Sequence, residues 1–235
     1  MWTARVLSVA PGRAHTHRVL PDNCVDILWQ DGGRPAFAVG MMSSAILVAS
    51  AGPVGTVAVR FKPGAAGAFL ATPLHALTDQ RADIDLLWGR DDADRLADAL
   101  WTDELSDRER IALIETQLLR RLRQDTAANA GQALVRRAVS VIDTTAGGVR
   151  IDDLARELGV SRQHLAAQFR TRVGLSPKLY ARICRFRRAT DALKAAPAPD
   201  WARLALECGY FDQSHLIHDF QEFAGSAPER FLSAA

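Results

Sequence analysis

The chain has 235 residues, 48% of them hydrophobic and 24% charged, with a formal net charge of +2. That length suits two ordinary domains, each with its own core, and no run of about 18 apolar residues marks a membrane span. The opening MWTARVLSVAPGRAH has neither a basic start leading into an apolar stretch nor a small-residue cleavage signal, so a cytoplasmic protein without membrane association is expected.

Residues 18 to 61 read as strands. CVDILW (Cys24 to Trp29), FAVG (Phe37 to Gly40), AILVAS (Ala45 to Ser50) and VGTVAVRF (Val54 to Phe61) are short and rich in β-branched and aromatic residues. Pro21-Asp22-Asn23, Asp31-Gly32-Gly33 and Gly52-Pro53 punctuate them as turns. A small antiparallel sheet or partial barrel follows. After Lys62-Pro63-Gly64 the pattern becomes helical, over Ala65 to Ala71, Ile84 to Trp88, Asp92 to Trp101 and Ser106 to Arg123. Ser106 with Glu109 three residues on makes a capping box for the last of these. Its stripe of Ile111, Ile114, Leu118 and Leu122 suits packing on the domain's own sheet or self-association in a homodimer. Gln124 to Gln132, small and polar, reads as a linker, which divides the chain into 1–123, 124–133 and 134–235.

Charge is unevenly spread along this order. Residues 1–133 hold 14 basic against 16 acidic side chains, residues 134–235 hold 15 against 11, and residues 150–194 alone hold 11 against 4. So dense a basic stretch in a folded domain points to a phosphate backbone as partner.

From Ile151 the sequence runs IDDLARELGVSRQHLAAQFRTRVGLSP. Leu154, Ala155 and Leu158 line one face of a short helix, Gly159 permits a left-handed turn, Val160 plugs the corner and Ser161 caps the next helix. There Leu165, Phe169 and Val173 turn inward, while Arg162, Gln163, Ala166, Ala167 and Arg170 face a major groove. Tyr180 to Lys194 reads as a long connecting helix with Ile183, Phe186 and Leu193 inward and Arg182, Arg185, Arg187 and Arg188 mostly outward. WARLALECGYFDQSHLIHDFQEFAGSAP then repeats the plan, with a second recognition helix from about Asp212 to Phe223.

This region, residues 134 to 232, resembles the AraC/XylS-type transcription regulators. The resemblance rests on Leu154-Ala155, Gly159-Val160-Ser161, His164-Leu165, Phe169, Gly174, Ser176-Pro177, Tyr180, and in the repeat on Ala205, Gly209-Tyr210, Asp212 to Leu216, Phe220, Gly225 and Pro228. It implies an α+β protein with an all-α double helix-turn-helix domain of seven helices that binds double-stranded DNA. It also implies that Gln163, Ala166 and Ala167 in the first unit, and Gln213, Ser214 and His218 in the second, face the bases. Ser161, Arg162, Arg170, Arg185 and Arg188 are expected to support them on the DNA. Glutamine suits an adenine edge and an alanine methyl suits thymine; no arginine stands at the six positions for guanine. Residues 195–235 hold only Arg203 and Arg230 against six acids, so phosphate attraction is expected mainly in the first unit, with the second free to offer acids to RNA polymerase.

The segments VLPDNCVDILWQDGG, VAVRFKPGAAGAFL and DIDLLWG resemble an N-terminal domain that accompanies this DNA-binding unit in some regulators, which implies a small-molecule effector, dimerisation, or both. Cys24, Asp26, Trp29 and Arg60 are the candidate effector residues, with Phe37, Phe61 and Trp88 completing a possible wall. Two alternatives stay open for this domain: a thiol sensor acting through Cys24, and a catalytic domain carrying a DNA-binding tail. Cys24 also suits a small buried hydrophobe, and a buried Asp26 needs a partner such as Arg60. Cys24, Cys184 and Cys208 lack C-x-x-C spacing, and His15-Thr16-His17 lacks the glutamate and later strand histidine of a metal site, so neither metal nor cofactor is expected. No phosphate loop or nucleophile elbow is present in the sequence.

Overall fold

The computed structural model describes residues 2–6, 15–50, 53–102, 105–124, 130–195 and 199–233. Its N-terminal part holds strands β1 (Trp2–Val6), β2 (His15–Val19), β3 (Val25–Gln30), β4 (Phe37–Val39), β5 (Ile46–Ser50), β6 (Val54–Phe61) and β7 (Arg81–Asp83). β1, β6, β3, β4 and β7 form one antiparallel sheet in that order, and β2 pairs with β5 in a separate ribbon. Alternation explains β3: Val25, Ile27 and Trp29 point into the core while the residues between them are half-buried. β6 is buried along most of its length because it lies between β1 and β3.

β1 and β7 lie outside the sequence expectation. Arg81-Ala82-Asp83 contains no β-branched or aromatic residue; register with β4, Phe37 opposite Asp83 and Val39 opposite Arg81, makes it a strand.

Helices α1 (Gly67–Leu70), α2 (Ile84–Trp88), α3 (Arg90–Leu100) and α4 (Asp107–Gln124) cover the sheet, and Leu74–Leu77 forms a 3-10 turn. The Ser106 capping box is made: Ser106 N donates to Glu109 Oε2 at 2.8 Å and Glu109 N to Ser106 Oγ at 3.3 Å. α4 packs on α1, α3 and β6, and of its stripe only Ile114 is fully buried; Leu122, and Leu119 outside the stripe, are exposed.

The C-terminal part contains α5 (Ala130–Thr144), α6 (Ile151–Glu157), α7 (Arg162–Arg172), α8 (Pro177–Ala195), α9 (Trp201–Glu207), α10 (Gln213–Ala224) and α11 (Pro228–Ser233). Residues 130–133, expected in a linker, are instead the first turn of α5; the rest of that expected linker beyond Gln124, residues 125–129, lies outside the described residues. One cluster of buried side chains runs without a break from Trp29 and Leu74 through Val135 and Val173 to Phe186 and Phe220. The two halves therefore share a core. No helix among the described residues is long and apolar enough to cross a membrane.

Candidate nucleic-acid interface

In the first unit α6 and α7 meet at a turn that needs Gly159, whose φ of +69° lies where a side chain is strained. Ser161 Oγ accepts from His164 N at 3.1 Å and caps α7. Leu165, Phe169 and Val173 are fully buried under Leu154 and Ala155, and Phe169 meets Tyr180 of α8 edge-on at 5.4 Å. This fixes the opposite face of α7 outward. Arg162, Gln163, Ala167 and Arg170 are exposed and Ala166 is half-buried. Arg162 reaches Asp152 of α6 at 2.9 Å while 65% of its side chain stays accessible, a surface pair that a phosphate can displace.

The second unit repeats the construction with stronger caps. Asp200 Oδ1 accepts from Ala202 N and Arg203 N, and Asp212 Oδ1 accepts from His215 N at 2.8 Å. Gly209 makes the turn at φ +82°. Leu216, Phe220 and Phe223 of α10 are fully buried, and Gln213, Ser214 and His218 are exposed.

The arginines of α8 divide differently from the expectation. Arg182 turns inward: its Nε and Nη2 donate to Asp219 Oδ1 at 3.1 and 2.6 Å, its Nη1 and Nη2 reach Glu222, and its guanidinium lies over the Phe223 ring. Asp219 is completely buried, so this ion pair clamps α10 onto α8. Arg185 also turns inward, donating to Gly147 O at 2.8 Å and lying 5.7 Å over Tyr210. It ties the bend after α5 to the second unit, so the outward position expected of it is corrected. Arg187 and Arg188 are exposed.

Most of the acids of residues 195–235 are engaged within the fold. Asp200 and Asp212 are caps, Glu207 pairs with Arg203 at 2.7 Å, and Asp219 and Glu222 hold Arg182. Arg182 keeps the Glu222 carboxyl below its ordinary range.

The N-terminal domain grips both units. Thr78 Oγ1 donates to Gly174 O, behind α7, at 2.7 Å, and Ala45 N donates to Phe223 O, near the end of α10, at 3.0 Å. Between them Asn23, buried and in a left-handed conformation at φ 59°, donates through Nδ2 to Tyr180 O and Cys184 Sγ of α8. Arg187 Nη1 in turn donates to Asp22 O at 2.9 Å.

Two caps, two positive-φ glycines and two outward faces on one connecting helix decide the identity of this part, and sequence families agree. The family described as "Helix-turn-helix domain" (HTH_18) matches residues 154–234. Residues 154–234 are an AraC-type DNA-binding domain. The protein that carries it is a DNA-binding transcription regulator. The family "Domain of unknown function (DUF6597)" matches residues 1–83. No curated protein matches the chain. Among solved structures it is similar to ToxT from Vibrio cholerae O395, at a TM-score of 0.48 and 13% identity, over 98% of this chain and 95% of that one. An unsaturated-fatty-acid-bound ToxT from Vibrio cholerae strain SCE256 aligns at 0.46 and 14%, over 98% and 93%.

Of the N-terminal residues singled out from the sequence, the aromatic ones pack in the core and Asp26 and Arg60 pair with each other. Trp29 is fully buried with its ring centroid 6.0 Å from that of Trp88, Phe61 stacks on Phe69, and Phe37 lies under Arg81. The pairing of Asp26 with Arg60 is as expected: Arg60 donates bidentately to Asp26 at 3.0 and 2.8 Å and also meets Asp22 at 2.8 Å. Two carboxylates therefore share the Arg60 guanidinium. Cys24 is half-buried with Sγ 3.5 Å from Asp22 O, and burial together with Asp22 pushes its thiol up to about 11. A sensor thiol needs the opposite shift. Among the described residues no three His, Cys, Asp or Glu side chains are grouped to hold a metal.

Proposed function

We propose that this regulator reads a specific DNA site with α7 and α10, and that a small-molecule effector bound by the N-terminal domain sets how well it does so. The observation that carries the reading is the grip: one domain touches the back of α7, the flank of α8 and the end of α10. Any change in that domain acts on the relative placement of two helices that must enter successive major grooves, roughly 34 Å apart. Gln163, Ala166 and Ala167 of α7 and Gln213, Ser214 and His218 of α10 are the base-facing set. Ser161, Arg162, Arg170 and Arg188 take phosphates, and Arg185 positions the units from within. The exposed Leu119 and Leu122 of α4 are the surface for a second copy in a homodimer. We assign no catalytic role to the N-terminal domain.

The test is binding of the full chain to a duplex from upstream of its own coding region and to a scrambled duplex, over a salt series. Selective binding that weakens steeply with salt, and that Gln163→Ala and Gln213→Ala each weaken by about 1–3 kcal/mol on the selected duplex only, supports the reading. Equal binding to both duplexes, unchanged by either substitution, sinks it.

A further inference from the structure

The second unit carries a residue that has no counterpart in the first. From the turn glycine to the helix cap the first unit runs Gly159-Val160-Ser161 and the second Gly209-Tyr210-Phe211-Asp212. Tyr210 takes the corner place of Val160: its N donates to Ala205 O at 2.9 Å, as Val160 N does to Ala155 O at 3.0 Å. Tyr210 is also buried, and its ring meets His215 edge-on at 5.3 Å. Phe211 is therefore the additional residue. At 86% accessible it is the most exposed large hydrophobic side chain among the described residues.

A phenyl ring at this position has an ordinary structural use that it does not take here. Phe211 directly precedes the cap Asp212, where a hydrophobic side chain often packs on the fourth residue of the helix and fixes the entry of the chain. That fourth residue is Leu216, which is fully buried, while Phe211 stays in solvent. The backbone is pinned on both sides of it. Tyr210 is anchored in the core, and Asp212, extended at φ −156° and ψ 177°, accepts from His215 N. A lone exposed apolar residue needs no explanation on most of a protein surface. This one stands at the start of α10, whose first residues Gln213 and Ser214 are exposed, and recognition helices meet base edges through their N-terminal residues.

We propose that Phe211 is a specificity-determining residue that packs on the 5-methyl group of a thymine at the edge of the element read by α10. The thymine methyl is the apolar group that the major groove presents, and phenylalanine is among the side chains that match it. Gln213, Ser214 and His218, the base-facing set of α10, are polar and leave that group without a partner. Contact removes from water an apolar ring that the free protein leaves exposed. A backbone pinned before binding also has little freedom left to lose. The proposal rests on the reading of α10 as a base-reading helix and adds to it a base and a chemical group. It gives the second unit, poor in cations, a source of selectivity that needs no charge.

The test uses the full chain and a duplex that it selects from a random pool, with a scrambled duplex beside it. Phe211→Ala is expected to weaken the selected duplex by about fourfold or more, the worth of one buried methyl group, and to leave the scrambled duplex unchanged. Each thymine of the selected site is then replaced in turn by uracil, which removes only the methyl group. One such replacement is expected to cost the natural chain about fourfold and Phe211→Ala nothing. A cost that arises at Ala166 or Ala167 persists in both proteins and is told apart in this way. Undiminished binding of the selected duplex by Phe211→Ala overturns the proposal; a fall in transcription at unchanged DNA affinity does so too, and assigns the ring to a protein partner. Equal weakening of both duplexes, or uracil costs that are the same in the two proteins, overturns the methyl contact. In all these cases a Gln213→Ala variant that still weakens the selected duplex alone keeps α10 as a base-reading helix. Loss of that effect as well, or a pool that yields no sequence, removes the reading on which the proposal rests.

Discussion

Replacing Arg182 by Met tests how the second recognition unit is held. Asp219 is completely buried and its Oδ1 takes two N–H groups from Arg182. Methionine keeps the apolar stem over Phe223 and removes the guanidinium donors, so a carboxylate is left buried without its countercharge. Such a loss costs about 3–5 kcal/mol; the lower end applies because 18% of the Arg182 side chain is accessible and water can enter behind the substitution. At about 2–4 °C per kcal/mol for a chain of this size, the thermal midpoint should fall by about 6–12 °C. The reverse change, Asp219→Leu, leaves Arg182 with Glu222 and solvent and should cost less. The double variant should be more stable than the sum of the two singles predicts. Scanning calorimetry of the four proteins closes the cycle. A fall of less than about 2 °C for Arg182→Met, or a strictly additive double variant, would refute the clamp.

Other perturbations reach the remaining joints. Thr78→Val removes the hydroxyl that meets Gly174 O across the domain boundary and should cost about 1 kcal/mol in urea unfolding, with DNA affinity altered although no residue near DNA is touched. Gly147→Ala should cost about 3 kcal/mol, because φ is +78° and the new methyl would stand 2.0 Å from Ala181 O; solubility and unfolding midpoint report it. The folded Glu222 carboxyl lies below its unfolded value, so its pairing with Arg182 stabilises fully above about pH 4.3 and is lost as pH falls through the lowered folded value. Glu222→Gln should therefore flatten the midpoint between pH 5 and pH 3 relative to the natural chain, and an unchanged acid limb would show that the pairing contributes nothing.

The parts of this structure that local chemistry dictates were legible in the sequence. Ser161, Gly159 and the Leu165–Phe169 spacing act within a few residues of themselves, and so do Asp212, Gly209 and the Leu216–Phe220 pair; each appears where the pattern puts it. β3 and β6 were legible because alternation and β-branching are local too. What escaped depends on partners far along the chain. The inward turn of Arg182 follows from which face of α10 packs on α8, 37 residues away, and that of Arg185 from Gly147, 38 residues away. β7 exists only through β4. The space between the β3–β4 loop and α3, lined by Ala93 and Ala97, escaped as well, because a pair of alanines on an amphipathic helix gives no sign of whether anything fills the space above them.

The charge asymmetry read from the sequence acquires a mechanical cause, and this yields a last prediction. The second unit is not acidic for display: its carboxylates cap α9 and α10 and clamp Arg182, which leaves Arg230 as its only exposed cation without a partner among the described residues. In the first unit and along α8, by contrast, Arg170 and Arg188 are exposed with no ion-pair partner among the described residues, and Arg162 is held by a surface bridge. Phosphate neutralisation should accordingly be borne by α7 and α8, while α10 adds base contacts to a complex already anchored. Each phosphate contact contributes about 0.9 to the slope of log affinity against log salt. Arg170→Ala should lower that slope by about this amount and weaken specific and scrambled duplexes alike, and Arg230→Ala should leave it nearly unchanged. Equal loss of slope in the two variants would mean that both units hold the backbone alike, and the division of labour inferred from their charges would be wrong.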